Sequence, residues 1–182
     1  MRTSIKLTAA ALSVVALSSC GGGGLDDATK SAISAFDSTW NVTMASATQW
    51  VADARAQTAS WDVEHEKMEA MMANWDQKTK DAQAANVQVC MTVSGRGNDI
   101  ASDAQSQIDG WVAEGANWAT WKQDCEDGNV SQEDADKGLT NWNQKLSDAN
   151  AAIAGWQTSW DALASEHSVA EDALMGAMAT TE

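Results

Sequence analysis

The sequence predicts an all-α protein, an elongated up-and-down helical bundle or antiparallel coiled coil with two long helices and a shorter, glycine-broken middle segment. Three observations lead to this prediction. The 182 residues include no proline, the residue that most strongly breaks a helix. Alanine, the strongest helix former, is abundant along the whole chain. Apolar residues recur at every seventh position, as in helices that pack along a seam.

The first long helix is predicted by an unbroken apolar row that begins at Ile33. The row takes every seventh residue: Ile33, Trp40, Ala47, Ala54, Trp61, Met68, Trp75, Ala82 and Val89. Its companion row is interrupted by Gln57, Glu64 and Lys78, so the seam is imperfect. The pattern indicates one helix, or two helices stacked in register.

The middle segment is predicted to be a shorter helix, outlined by Ile100, Ala104, Ile108, Trp111, Trp118 and Trp121. Gly110 and Gly115 weaken it, because glycine in a helix costs about 1 kcal/mol relative to alanine. Ser94 to Asn98 are predicted to form the connection before it. Because three tryptophans lie in this weakened segment, we expect an exposed aromatic cluster that docks a partner or a glycan. Its members are Trp111, Trp118 and Trp121.

The last helix has the cleanest pattern, two apolar rows over five heptads. The rows are Leu139, Leu146, Ile153, Trp160, His167 and Leu174, and Trp142, Ala149, Trp156, Leu163, Ala170 and Ala177. The sequence Asp127-Gly128-Asn129 predicts a turn before this helix, and Ser131 is the predicted N-cap. Glu133 and Asp134 then favour the positive end of the helix dipole.

Cys90 and Cys125 are predicted to form a disulfide if the chain is exported. A disulfide needs its two Cα atoms within about 7 Å of each other. The chain between the cysteines must then fold back, and Gly110 to Gly115 is the expected place. Free thiols, or a bond between two chains, are the alternatives.

The N-terminus has the organisation of an export signal. Arg2 and Lys6 precede an apolar run from Leu7 to Leu17, which is too short to span a bilayer. The sequence Leu17-Ser18-Ser19-Cys20 follows and leads into four glycines. This motif resembles the lipobox of bacterial lipoproteins. The resemblance implies cleavage before Cys20, acylation of the new N-terminus and a diacylglycerol on the Cys20 thiol.

The resemblance also divides the chain and places it in the cell. It implies a signal peptide at 1–19, a lipidated cysteine with a glycine tether at 20–25, a helical bundle domain at 26–178 and a tail at 179–182. The protein is then expected in the cell envelope, held to a membrane by its lipid. Gly21, rather than aspartate, follows the cysteine, which in a diderm host implies sorting to the outer membrane.

The charge of the chain limits its partners. The formal net charge is −15, and cleavage of the signal would remove Arg2 and Lys6 and make it more negative. Nucleic acids and anionic lipid surfaces are therefore poor partners for the body of the protein. We expect a protein partner or a homo-oligomer, or a bound cation.

Two constellations suggest a bound ion. The first is a row on one helical face, spaced by four, three, four and three residues: Trp61, His65, Met68, Met72 and Trp75. Imidazole and thioether suit Cu(I), and an indole can cover the ion. His167, Met175 and Met178 would complete such a site if the last helix packed antiparallel to the first. Burial in the core is the alternative interpretation.

The second constellation, Asp127 to Asp134, looks like the second half of an EF-hand calcium loop. Its first half does not match, because Gln123 and Cys125 stand where the first two carboxylate ligands belong. A glycine turn followed by a serine cap explains the same residues without Ca²⁺.

No enzyme motif is present in the sequence. His65 and His167 are its two histidines, and we find no nucleophile elbow, phosphate loop, zinc-type ligand spacing or haem-attachment motif. We therefore expect a lipoprotein that is not an enzyme and acts as a scaffold, spacer or protein-docking module. The first alternative is a periplasmic Cu(I)-type soft-metal binder that uses the His/Met/Trp face. A bundle that holds haem or another apolar ligand is a further alternative.

Overall fold

The computed structural model describes residues 24–179, and it consists of three long helices. These are α1 (Asp27–Met72), α2 (Gln77–Glu126) and α3 (Gln132–Ala179), with no strand in the described range. They pack against one another as an all-α bundle, which confirms the predicted fold class. None of the three is both long and apolar enough to cross a membrane. The predicted signal peptide, Cys20 and the last three residues lie outside the described range.

Each helix begins at a side-chain cap, in which the side-chain oxygen of the N-cap residue accepts a hydrogen bond from a backbone N–H in the first turn. The three donor–acceptor pairs are Thr29 N to Asp26 Oδ1 (2.7 Å), Thr79 N to Asp76 Oδ1 (2.7 Å) and Asp134 N to Ser131 Oγ (3.2 Å). Gly128 precedes the last cap with φ of 77°, in the left-handed region that glycine tolerates. The predicted turn and cap before α3 are therefore confirmed.

The middle helix is longer than predicted. α2 is continuous over 50 residues and includes both Gly110 and Gly115, where a break was expected, and Ser94 to Asn98, where a connection was expected. The break was wrong because burial of the apolar side of α2 outweighs the modest helix cost of single glycines.

Gly97, which lies in the segment predicted to be a connection, allows close packing of α2. A Cβ at this position would lie 2.5 Å from Thr58 Cγ2 and 3.3 Å from the Trp160 ring. The missing side chain therefore lets α2 approach its neighbours closely, where the sequence had suggested a loop.

The apolar row that starts at Ile33 describes α1 and the turn after it. It does not continue in register into α2, where Ala82 is exposed and the buried position is Cys90. The chain turns between Met72 and Gln77. Trp75 lies in this turn and is buried together with Met68.

Two compact units are present within the described residues. Unit 1 contains Trp50–Gln105 and 155–179, and unit 2 contains 24–49 and 106–154. Every helix contributes residues to both units.

The core of unit 2 is an aromatic cluster. Phe36 lies at its centre, with ring centroids 4.2 Å from Trp118, 5.7 Å from Trp40 and 6.2 Å from Trp142. The Trp118 indole N–H also donates a 2.7 Å hydrogen bond to Asp37, so burial of the ring does not leave its polar atom unpaired.

The core of unit 1 is built from tryptophans of α1 and α3. Trp61 and Trp160 stack with centroids 5.3 Å apart and planes 14° apart, and Trp50 meets Trp160 edge-on at 5.9 Å. This layer fixes the register of α1 against α3 within unit 1.

Candidate metal centre

Three potential metal ligands, one from each helix, meet inside unit 1. His65 comes from α1, Cys90 from α2 and His167 from α3, and all three are buried. One ligand atom of each lies within 4.8 Å of the others. The His65 and His167 Nε2 atoms are 2.9 Å apart, which is a hydrogen bond between the two rings.

The tryptophan layer of unit 1 positions the two imidazoles. His65 lies four residues after Trp61 on the same helical face, and His167 lies seven residues after Trp160. Because Trp61 and Trp160 stack on each other, the histidines one turn further along α1 and two turns further along α3 also face each other. The Trp61 ring contacts the His167 ring directly, at 4.9 Å between centroids.

Apolar side chains close the other side of the centre. Cys90 belongs to a buried cluster whose other members are Met68, Trp75, Ala170 and Leu174. Met72, Val87, Val89, Ala177 and Met178 pack against this cluster and are partly buried. The thiol therefore lies in an apolar environment.

Burial lowers the pKa of both histidines, so both rings are neutral at pH 7. For His65 the neighbouring charges of Asp62, Glu64 and Glu69 oppose this effect without reversing it. For His167 the pKa is lowered further by His65. Two neutral rings fit the observed contact, in which one Nε2 donates and the other accepts.

The Cys90 thiol is neutral as well. Burial, and then the charge of Glu171 on α3, raise its pKa to about 11. A catalytic cysteine needs the opposite shift, because only a thiolate is a good nucleophile. The Cys90–histidine arrangement therefore does not resemble a nucleophilic dyad, whereas two neutral imidazoles and a thiol form a donor set that suits copper and zinc.

The face predicted to bind Cu(I) lies mostly inside the bundle. Trp61, His65, Met68 and Trp75 are buried, and Met72 is partly buried. Of these five residues, His65 lies beside two further potential metal ligands, Cys90 and His167. Met68 belongs to the same hydrophobic cluster as Cys90.

Of the further residues proposed for that face, His167 joins the centre and Met178 packs against the cluster. Met175 remains 50% exposed. Cys90 was missed as a ligand because it had been assigned to a disulfide.

The antiparallel packing of the last helix on the first, on which that proposal depended, is wrong within unit 1. The pairs Trp50–Trp156, Trp61–Trp160 and His65–His167 rise together along both helices, so α3 runs parallel to α1 there.

The predicted Cys90–Cys125 disulfide within one chain is wrong. Both thiols are free and buried, each in a different hydrophobic cluster. The bond required the chain to fold back at Gly110 to Gly115, and α2 is continuous there. An unbroken helix rises about 1.5 Å per residue, so residues this far apart in sequence stay well beyond the reach of a disulfide.

The prediction that Trp111, Trp118 and Trp121 form an exposed docking cluster is also wrong. Trp118 is 3% exposed and lies in the unit 2 core, and Trp111 and Trp121 are partly buried and pack against that core. A Cβ at Gly138 would overlap the Trp121 indole, which shows how closely this ring covers α3.

The segment that looks like half of a calcium loop is a helix–turn–helix connection. Gln123 and Cys125 belong to α2, whereas the first half of an EF-hand loop is not helical. The Asp134 carboxylate accepts a 2.7 Å hydrogen bond from the Ser131 hydroxyl. The geometry therefore favours the glycine turn and serine cap over a calcium site.

Comparison of the chain with protein families, with curated proteins and with solved structures found no significant match.

Proposed function

We propose that this chain is a lipid-anchored protein of the cell envelope whose helical bundle acts as a scaffold, spacer or docking module and not as an enzyme. The lipobox residues that end at Cys20 support the anchor. The observation that carries the scaffold role is the continuity of the three helices, which have 46, 50 and 48 residues. Each unit has its own core of closely packed indoles, which makes the helices rigid rather than loosely associated.

The chemistry of the surface supports a basic protein, or another chain of complementary charge, as the partner. The chain carries 26 acidic against 11 basic residues. Of the tryptophans expected to dock a partner, Trp118 lies in the core of unit 2, and Trp111 and Trp121 are partly buried against that core. The recognition surface is therefore the acidic exterior. Association through such a surface weakens as salt is added.

A complementation experiment tests the scaffold role. The gene is deleted in its host, and envelope integrity is measured after the chain or a variant is returned. Cys20→Ser, which removes the anchor, is expected to fail. His65→Leu combined with Met68→Leu is expected to restore function, since a scaffold needs the bundle and not its metal donors. Full rescue by Cys20→Ser would contradict the anchored scaffold.

A soft-metal-binding protein is the second candidate function, and a specific observation favours it. His65, Cys90 and His167 converge in a buried centre although they come from three different helices. Core packing alone does not require two histidines and a thiol at one point. In the complementation experiment, this function predicts failure of the His65→Leu/Met68→Leu variant.

A further inference from the structure

We propose that His65, Cys90 and His167 form a three-coordinate site for Cu(I). This inference rests on the second candidate function and specifies its ion, its ligands and its chemistry.

The separation of the donors fits one small ion. A metal bonded to imidazole nitrogen at about 2.0–2.1 Å and to thiolate sulfur at about 2.3 Å holds its donors roughly 3.5–4 Å apart. The three ligand atoms already lie within 4.8 Å of one another. The 2.9 Å contact between the imidazoles must open by less than about 1 Å to admit the ion. Side-chain adjustments are sufficient for this change.

The charge of the site selects a monovalent ion. Two neutral imidazoles and one thiolate carry a charge of −1, so Cu(I) gives a neutral complex. A divalent ion would leave a net positive charge in a buried, apolar place, which is costly. Four acids act on these donors through their charge, Asp62, Glu64 and Glu69 on the histidines and Glu171 on Cys90. None of the four is among the donors grouped within 4.8 Å, so none of them is placed to bind a divalent ion directly.

The number of ligands points the same way. Among the histidines, cysteines and acids of the described residues, three supply donors at this point, whereas a structural zinc site almost always has four. Thiolate is a ligand that Cu(I) prefers, and imidazole also suits copper. The indole of Trp61 against His167, together with the apolar cluster around Cys90, limits access of water to the ion.

Binding replaces one proton. The Cys90 S–H bond breaks, a sulfur–copper bond forms and the proton leaves to solvent. The imidazole that donates in the His65–His167 hydrogen bond moves its proton from Nε2 to Nδ1, so both Nε2 lone pairs face the ion. The balance is one Cu(I) bound and one proton released, with no change of oxidation state.

The experiment uses the full chain with Cys20→Ser and Cys125→Ser, in which Cys90 is the remaining thiol because the sequence has three cysteines. Cu(I) is added without oxygen against a competing Cu(I) chelator of known affinity. Protons are counted with a pH indicator in weak buffer near pH 7.5. Variants with Cys90→Ser or His167→Gln are compared in the same background, and circular dichroism reports their helicity.

We expect one Cu(I) and one proton per chain, with alkylation of Cys90 blocked in the complex. Cys90→Ser is expected to abolish proton release, and either variant is expected to weaken binding at least 100-fold while the helices persist. The matched control is the chain with native Cys125 and only Cys20→Ser, which is expected to bind the same single ion.

Three results would overturn the proposal. The first is stoichiometric Zn²⁺ binding with no uptake of Cu(I), which would retain a metal-binding function with another ion. The second is the absence of any bound metal, which would remove that function as well. The third is Cu(I) binding that Cys90→Ser and His167→Gln both leave unchanged, which would place the ion elsewhere.

Discussion

Replacement of Gly97 by alanine tests whether this glycine is a packing surface of α2. The new Cβ would lie 2.5 Å from Thr58 Cγ2 and 3.3 Å from Trp160. Thr58 cannot easily turn away, because it is 2% exposed and its hydroxyl donates a 2.8 Å hydrogen bond to the Arg55 carbonyl. A methyl group forced into such a place costs about 1–3 kcal/mol.

The matched control is Gly95→Ala, two residues earlier on the same helix. A Cβ at Gly95 meets no atom within 4 Å, so alanine there is expected to stabilise the helix by about 0.5–1 kcal/mol. Gly97→Ala has the same helix gain but also the steric cost, which leaves a net loss of up to about 2.5 kcal/mol. Because the helix gain is common to both, the two variants should differ by the steric cost, about 1–3 kcal/mol in free energy of unfolding.

Equilibrium unfolding in urea, followed by far-ultraviolet ellipticity and by tryptophan fluorescence, measures this difference. Fluorescence adds local information because Trp61 and Trp160 lie beside the substituted position. Equal stabilisation by the two alanines would refute the close approach of α2 to Thr58.

Three further predictions concern unit 2 and the thiols. Trp118→Phe removes the hydrogen bond to Asp37 and should cost about 1.5–3 kcal/mol. That bond holds the pKa of Asp37 below its usual 3.8, so the bond's stabilisation is present above pH 3.8 and is lost as the pH falls through the lower, folded-state pKa. Urea titrations from pH 7 to pH 2 should show the two chains converging in acid, and a constant difference would contradict this assignment. Ser131→Ala should lower stability by about 1 kcal/mol through loss of the α3 cap, and an unchanged urea midpoint would argue against the cap. Cys90 and Cys125 should both react with an alkylating agent once the protein is unfolded without reductant. A protein that is two hydrogens lighter than the reduced chain and does not react would instead show that the two cysteines form a disulfide.

The predictable part of the fold is the part that depends on periodicity and local caps. The apolar rows of α3 run through the positions that pack, and Ser131 caps the helix as its sequence suggests. These features depend on side chains within a few residues of each other, so no knowledge of the tertiary structure is needed.

The middle helix was misread because single glycines were given more weight than the apolar pattern. One heptad row without a polar member runs through α2 from Cys90 onward: Cys90, Gly97, Ala104, Trp111, Trp118 and Cys125. This row predicts one long helix with both cysteines on its packed side. Gly97 belongs to this row, and both Gly97 and Gly115 lie where indoles of other helices approach.

The candidate site was only half visible in the sequence for a different reason. His65 stood out because its helical neighbours are apolar, and His167 was considered through its place in the α3 row. Cys90 joins them only when α2 packs against both other helices in one register, and spacing along the chain does not encode that register. The heptad row above would have placed Cys90 in the core, but not beside two histidines.

The proposed metal site requires that three helices bring His65, Cys90 and His167 together at one buried point. A crystal structure of the protein loaded with Cu(I), with an anomalous difference map at the copper edge, tests this claim most directly. We expect one strong peak within bonding distance of both imidazoles and the Cys90 sulfur. A map with its peak elsewhere, or with the three side chains separated, would contradict both the site and the packing of the helices that forms it.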